Sequence, residues 1–170
     1  MEIYKGTATF SGIAIGKILY YSRGEYQIRQ CLVSNIKKEI SNFQEARLQA
    51  VQKLHELYEA NRLLNEQEAG VFLRQIKLLE SESYQNAIES SIANEKVNAA
   101  YAVMINRDEL VETFRHLEEP VIRRRINDMQ EISNRLIQIL GGAAIRINLG
   151  DEPVILVAEA LSPTEIMEMD

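Results

Sequence analysis

Glycine and proline crowd the two ends of this chain and nearly vanish from its middle. Gly6, Gly12, Gly16 and Gly24 fall early, and Gly141, Gly142, Gly150, Pro153 and Pro163 fall late; between them only Gly70 and Pro120 interrupt. These residues punctuate regular structure through their backbone geometry, so the long middle is expected to be helical and the ends to hold short elements joined by turns.

Hydrophobic spacing in the middle supports that expectation. Val33, Ile36, Ile40, Phe43, Ala50, Leu54 and Leu57 recur at helical steps after a candidate cap, Ser34. Roughly 30 residues at 1.5 Å each make a rod of about 45 Å, which is stable only when packed along its stripe. A second helix must therefore run back. Asn65 followed by Glu68 forms a possible capping box for the next helix, and Ser81-Glu82-Ser83 marks a bend before a further helical piece near Tyr84. Ala99, Val103, Leu110, Phe114 and Leu117 form a third long stripe after Asn98, stopped by Pro120. Ile122, Ile126, Met129, Ile132, Leu136 and Leu140 form a fourth, ending at Gly141 in an expected left-handed terminus. Four principal helices with short connections imply paired antiparallel hairpins.

The ends read as strands. Ile3 to Tyr21 is broken at Ser11-Gly12, suggesting two short strands, and the apolar run Ile13 to Tyr20 calls for cover on both faces. Pro153-Val-Ile-Leu-Val-Ala158, set off by Gly150-Asp151, is a β-branched run suited to pair with them. Beyond it, Ser162-Pro163-Thr164-Glu165 carries a cap, a proline at the first helical position and a capping-box glutamate. That helix would be about two turns long at Asp170, the pattern of a piece of a longer protein. The expected fold class is α+β and mostly helical, with a four-helix paired-hairpin subdomain at 31–141 inserted into a smaller α/β unit formed by 1–30 and 142–170.

Composition narrows the function. The chain has 170 residues, and its charge balance of 19 − 25 = −6 argues against nucleic acid as the main partner, because duplex binding needs a basic face. One cysteine, Cys31, excludes an intrachain disulfide, and two histidines, His55 and His116, give no spaced set of metal ligands. The N-terminal sequence lacks a basic region followed by an apolar run, and no apolar stretch reaches the roughly 20 residues of a membrane span, so a soluble cytoplasmic protein is expected.

Candidate chemistry is sparse. His55 lies mid-helix among polar residues, and His116 sits near a helix end where its partial charge suits the helix dipole; both read as surface residues. Cys31 reads as an incidental thiol. Arg123-Arg124-Arg125 could meet an anion, yet consecutive helical residues point about 100° apart, so one or two at most can share a ligand. Between residues 56 and 95 the acids Glu56, Glu59, Glu66, Glu68, Glu80, Glu82, Glu89 and Glu95 face only Arg62, Arg74 and Lys77, a balance of 3 − 8 = −5. This stretch is either a solvated helical face or a docking surface for a basic protein; spacing alone leaves both open.

Several stretches taken together resemble a known family. They are Gly6 with Ser11-Gly12-Ile13-Ala14-Ile15-Gly16-Lys17, then Ile76-Lys77-Leu78-Leu79-Glu80, then Asn98-Ala99-Ala100-Tyr101-Ala102-Val103. Asp128-Met-Gln-Glu-Ile-Ser-Asn-Arg135-Leu136, Pro153 to Ala158 and Leu161-Ser162-Pro163 complete the set. In this order they resemble the N-terminal part of Enzyme I of the bacterial phosphotransferase system, a phosphoenolpyruvate-protein phosphotransferase.

The resemblance implies that the α/β unit is an incomplete phosphohistidine (swivelling) domain and that the inserted helices bind the phosphocarrier HPr. It places HPr contacts at Glu66, Glu68, Phe72, Gln75, Leu78, Glu80, Glu82, Tyr84 and Arg125. The active histidine of the family, in a Gly-Gly-Arg-Thr-Ser-His motif, would lie beyond Asp170. The phosphoenolpyruvate and Mg2+ sites would lie in a further C-terminal barrel, leaving this stretch without cofactor and inactive alone, and monomeric in dilute solution. Three departures from the family pattern stand out: Phe10-Ser11 before the Gly-Ile-Ala turn, Leu73, Ser81 and Ser83 at commonly acidic positions, and Ile166 where threonine is common. The rival reading is a non-enzymatic helical-hairpin scaffold whose acidic face serves only solvation.

Overall fold

A computed structural model of the chain describes residues 12–21, 28–63, 66–117, 119–141, 153–158, 161 and 166. The chain divides into two compact units, one of Met1–Glu25 with Arg146–Asp170 and one of Tyr26–Ile145. Among the described residues the element order is β1 (Lys17–Tyr21), α1 (Ile36–Asn61), α2 (Glu66–Leu79), α3 (Glu82–Glu95), α4 (Ala99–Phe114), α5 (Pro120–Leu140) and β2 (Val154–Ala158).

In the smaller unit β1 and β2 pair in parallel, from Lys17 opposite Val154 to Tyr21 opposite Ala158. Parallel neighbours need a long crossover, and here the whole helical unit supplies it. Gly16 precedes β1 at a point of close approach: a Cβ there would stand 2.6 Å from the Pro153 carbonyl oxygen, so only glycine lets the strands meet. The strand starts at Lys17 rather than Ile13, and among the described residues nothing covers Ile18 and Tyr20, which are exposed. The expected first strand before Ser11 and the capping box at Ser162–Glu165 lie outside the described residues.

The helical unit is built from two hairpins. α1 packs most extensively on α2 and α4 on α5, while α1 also meets α5 and α3 meets α4. The α1 stripe buries Phe43, Ala46, Ala50, Leu54 and Leu57. α1 meets α2, α3 and α5, whose buried residues include Phe72, Ile76 and Leu79 of α2, Ile88 and Ile92 of α3, and Ile132 and Leu136 of α5. Each fully buried side chain of this size stabilises the fold by about 1.5–3 kcal/mol through removal of apolar surface from water.

Helix boundaries follow local chemistry with three differences from expectation. Asn35, not Ser34, caps α1, its side chain accepting from the Lys38 amide at 3.0 Å. Gly141 closes α5 at φ −79, an ordinary right-handed value, with its amide donating to the Ile137 carbonyl at 2.9 Å. The left-handed terminus belongs instead to Lys96 at φ 55, the residue that ends α3.

Asn98 precedes α4 without capping it. Its side-chain oxygen accepts from the Cys31 amide at 2.9 Å, and its own amide donates to the Cys31 carbonyl. With the Leu32–Val97 bridge and the Val33 amide on the Lys96 carbonyl, these bonds stitch the segment before α1 to the α3–α4 turn. The cap of α4 comes from Glu39 of α1, which accepts from the Ala99 amide at 2.7 Å.

Candidate partner-docking face

α2 and α3 together form one bent arm. At the bend the Ser81 hydroxyl accepts from the Tyr84 amide at 3.2 Å, and the Gln85 side chain donates to the Glu80 carbonyl at 3.1 Å. The Ser81 amide reaches the Leu78 carbonyl, tightening the last turn of α2. Every bond here is short-range in sequence, which is why Ser81-Glu82-Ser83 read as a bend from composition alone.

Glu80 and Glu82 flank this elbow, both exposed, and Ser83 beside them is also exposed. Leu78 and Leu73 are half-buried. Three other candidate contact positions point inward: Phe72 and Gln75 are 1% exposed and Tyr84 7%. They support the arm from below. Arg125 is exposed on α5. Glu66 and Glu68 belong to α2, but their side chains lie outside the described residues. Of the remaining acids, Glu56 is ion-paired with Lys53 and Glu59 with Arg62 on their own helix, and Glu89 meets Gln44 of α1.

Beneath the arm, α5 presents a ladder of polar side chains joined between them to α2, α3 and α4. Asp128 accepts from Arg74 Nε at 3.0 Å, and Glu131 accepts from the Gln75 side chain at 2.6 Å. Ser133 meets the Tyr84 hydroxyl at 3.5 Å, and Asn134 accepts from Arg107 of α4 at 2.9 Å. Burial pushes the Tyr84 phenol up to about 12, opposed by the Ser133 hydrogen bond and by the Arg107 charge. Among the described residues no buried side-chain polar atom lacks a partner. The stretch Asp128 to Asn134, quoted above for its family likeness, is therefore structural glue.

His55, His116, Cys31 and Arg123 to Arg125 are all exposed. Among the described residues no group of three His, Cys, Asp or Glu could hold a metal ion. No described helix is long and apolar enough to cross a membrane.

The profile of a family described as PEP-utilising enzyme, N-terminal, matches residues 5–125, well over half of the 170. The chain belongs to this family. It is 27% identical over 169 residues to a phosphoenolpyruvate-protein phosphotransferase of Borreliella burgdorferi, covering 97% of this chain and 30% of that protein. The same-named protein of Haemophilus influenzae is 29% identical over 170 residues, covering 97% and 29%. The chain thus spans about 30% of the length of these relatives.

A solution structure of Enzyme I (nEIt) superposes with a TM-score of 0.77 at 22% identity, covering 92% of this chain and 64% of that one. The N-terminal domain of Enzyme 1-Nitrogen gives 0.70 at 21% identity, covering 94% and 66%. These likenesses establish the shared fold. The mostly helical α+β class and the Enzyme I resemblance expected from the sequence agree with them.

Sequence reasoning missed Arg74, Arg107, Asp128 and Glu131 as partners. Their pairings link residues between 27 and 56 positions apart, and nothing local in the sequence signals them.

Proposed function

We propose that this chain is the N-terminal part of a phosphoenolpyruvate-protein phosphotransferase and that its helical unit docks the phosphocarrier HPr. The observation that carries this reading is the pair Glu80 and Glu82, both exposed on either side of an elbow whose backbone is fixed by the Ser81 cap. Clustered carboxylates speed the approach of a cationic carrier, and a rigid arm holds it once it arrives.

Phosphoryl transfer between two histidines requires an in-line approach, so preorganised docking is the contribution this surface makes. On this reading residues 31–141 carry the docking function. Residues 1–30 and 142–170 belong to the phosphohistidine unit, and the enzyme works in the cytoplasm. The active histidine and the phosphoenolpyruvate and Mg2+ sites fall in the parts of the relatives that this chain does not span.

Titration of isotope-labelled HPr with the 170-residue chain tests the proposal. Saturable binding that weakens as salt rises is expected. Failure to bind at millimolar concentrations would leave the scaffold reading in its place.

A further inference from the structure

α2 carries two adjacent polar residues that reach for α5 in different directions. Arg74 and Gln75 stand about 100° apart around their helix, as neighbours must. Their acceptors, Asp128 and Glu131, lie three apart and so share one face of α5. The attachments measure 3.0 Å and 2.6 Å.

The apolar residues of α2 cannot do what this pair does. Phe72, Ile76 and Leu79 bury area, and burial is non-directional, so a cylinder with an apolar stripe tolerates some turning about its axis. Two hydrogen-bonded attachments separated around the circumference remove that freedom. Gln75 is 1% exposed within this apolar layer, and its amide is satisfied there through Glu131.

We propose that Arg74 and Gln75 are positioning residues: through Asp128 and Glu131 they fix the rotation of α2 on α5, and thereby which side chains the docking arm shows to its carrier. The inference rests on the docking reading for its functional part, while the rotation itself can be observed without any carrier.

The test uses the double variant Arg74→Ala with Gln75→Leu. Leucine fills the same space, and Glu131 has a further interaction besides Gln75, so the fold is expected to hold. The expected result is retained helical circular dichroism, amide chemical shifts displaced throughout α2, and HPr affinity weakened about tenfold. Ile88→Val, a core change in α3 away from the pairs, serves as the comparator and is expected to lower the melting temperature without moving HPr affinity. Exchanging the ion pair, with Arg74→Asp and Asp128→Arg on an otherwise unaltered chain, is expected to recover most of the affinity that Arg74→Ala alone loses.

A folded double variant with unmoved α2 amide shifts overturns the inference, as does HPr affinity within about twofold of the parent. If the parent itself fails to bind HPr, the docking reading falls, and the amide shifts alone decide whether the pair sets the rotation.

Discussion

Glu39, in the first turn of α1, accepts the backbone amide of Ala99 at the start of α4, 2.7 Å away and 60 residues along the chain. The same carboxylate accepts from Asn42 at 3.1 Å. A residue of one hairpin thereby caps a helix of the other. Glu39→Ala frees that amide, and a loss of about 1 kcal/mol is expected, read as a lower urea midpoint with an unchanged slope. Asn98→Ala, which breaks the bond to Cys31, is expected to cost about the same.

Tyr84 makes stability pH-dependent at the alkaline end. Its phenol is raised from 10.0 to about 12 in the fold, so the folded state holds its proton where the unfolded chain has released it. The stability this provides is complete below pH 10 and is lost as pH rises towards 12. Melting temperature should therefore fall over that window in the parent. In Tyr84→Phe the slope should flatten, and a parent slope identical to that of the variant would refute the assignment.

Two glycines should respond oppositely to alanine. Gly16→Ala drives a methyl group into the Pro153 carbonyl and is expected to destabilise the β1–β2 pair by about 1–3 kcal/mol. Amide exchange would speed in β1 and β2 while α1 to α5 keep their protection. Gly70→Ala meets nothing within 4 Å inside α2, and helix propensity predicts a gain of about 1 kcal/mol.

Charge reversal at the elbow examines the proposed docking face directly. Glu80→Lys with Glu82→Lys changes only exposed side chains, so the melting temperature should stay close to the parent value. HPr affinity at low salt is expected to fall about tenfold, and the salt dependence of what remains should flatten. Unaltered affinity and salt slope would mean that the carrier meets another surface.

Much of this architecture was legible in the order of residues. The α1 stripe from Phe43 to Leu57, the break at Pro120 and the bend at Ser81 depend on spacing and on bonds within a few residues, and each occurs close to where the pattern puts it. What could not be read were choices made by distant neighbours. Asn98 has the composition of a cap, yet the nearby Cys31 backbone takes its side chain and Glu39 takes over the role. Gln75 has the composition of a surface residue, but Glu131 makes its burial tolerable. Gly141 marks the right place to stop a helix and does so without the left-handed turn it could have adopted.

The parallel pairing of β1 with β2 also constrains how the chain comes to be folded. Lys17 and Val154 are register partners separated by 154 − 17 = 137 positions, among the most distant contacts such a polypeptide can make. Loop closure over that span is entropically unfavourable for a random coil, and a ladder of five register pairs repays little of it. A ribosome releases the helices before it releases Val154, so these helices can condense first and shorten the effective tether. The strand pair then has a shorter span to close than the 137 positions between Lys17 and Val154 suggest.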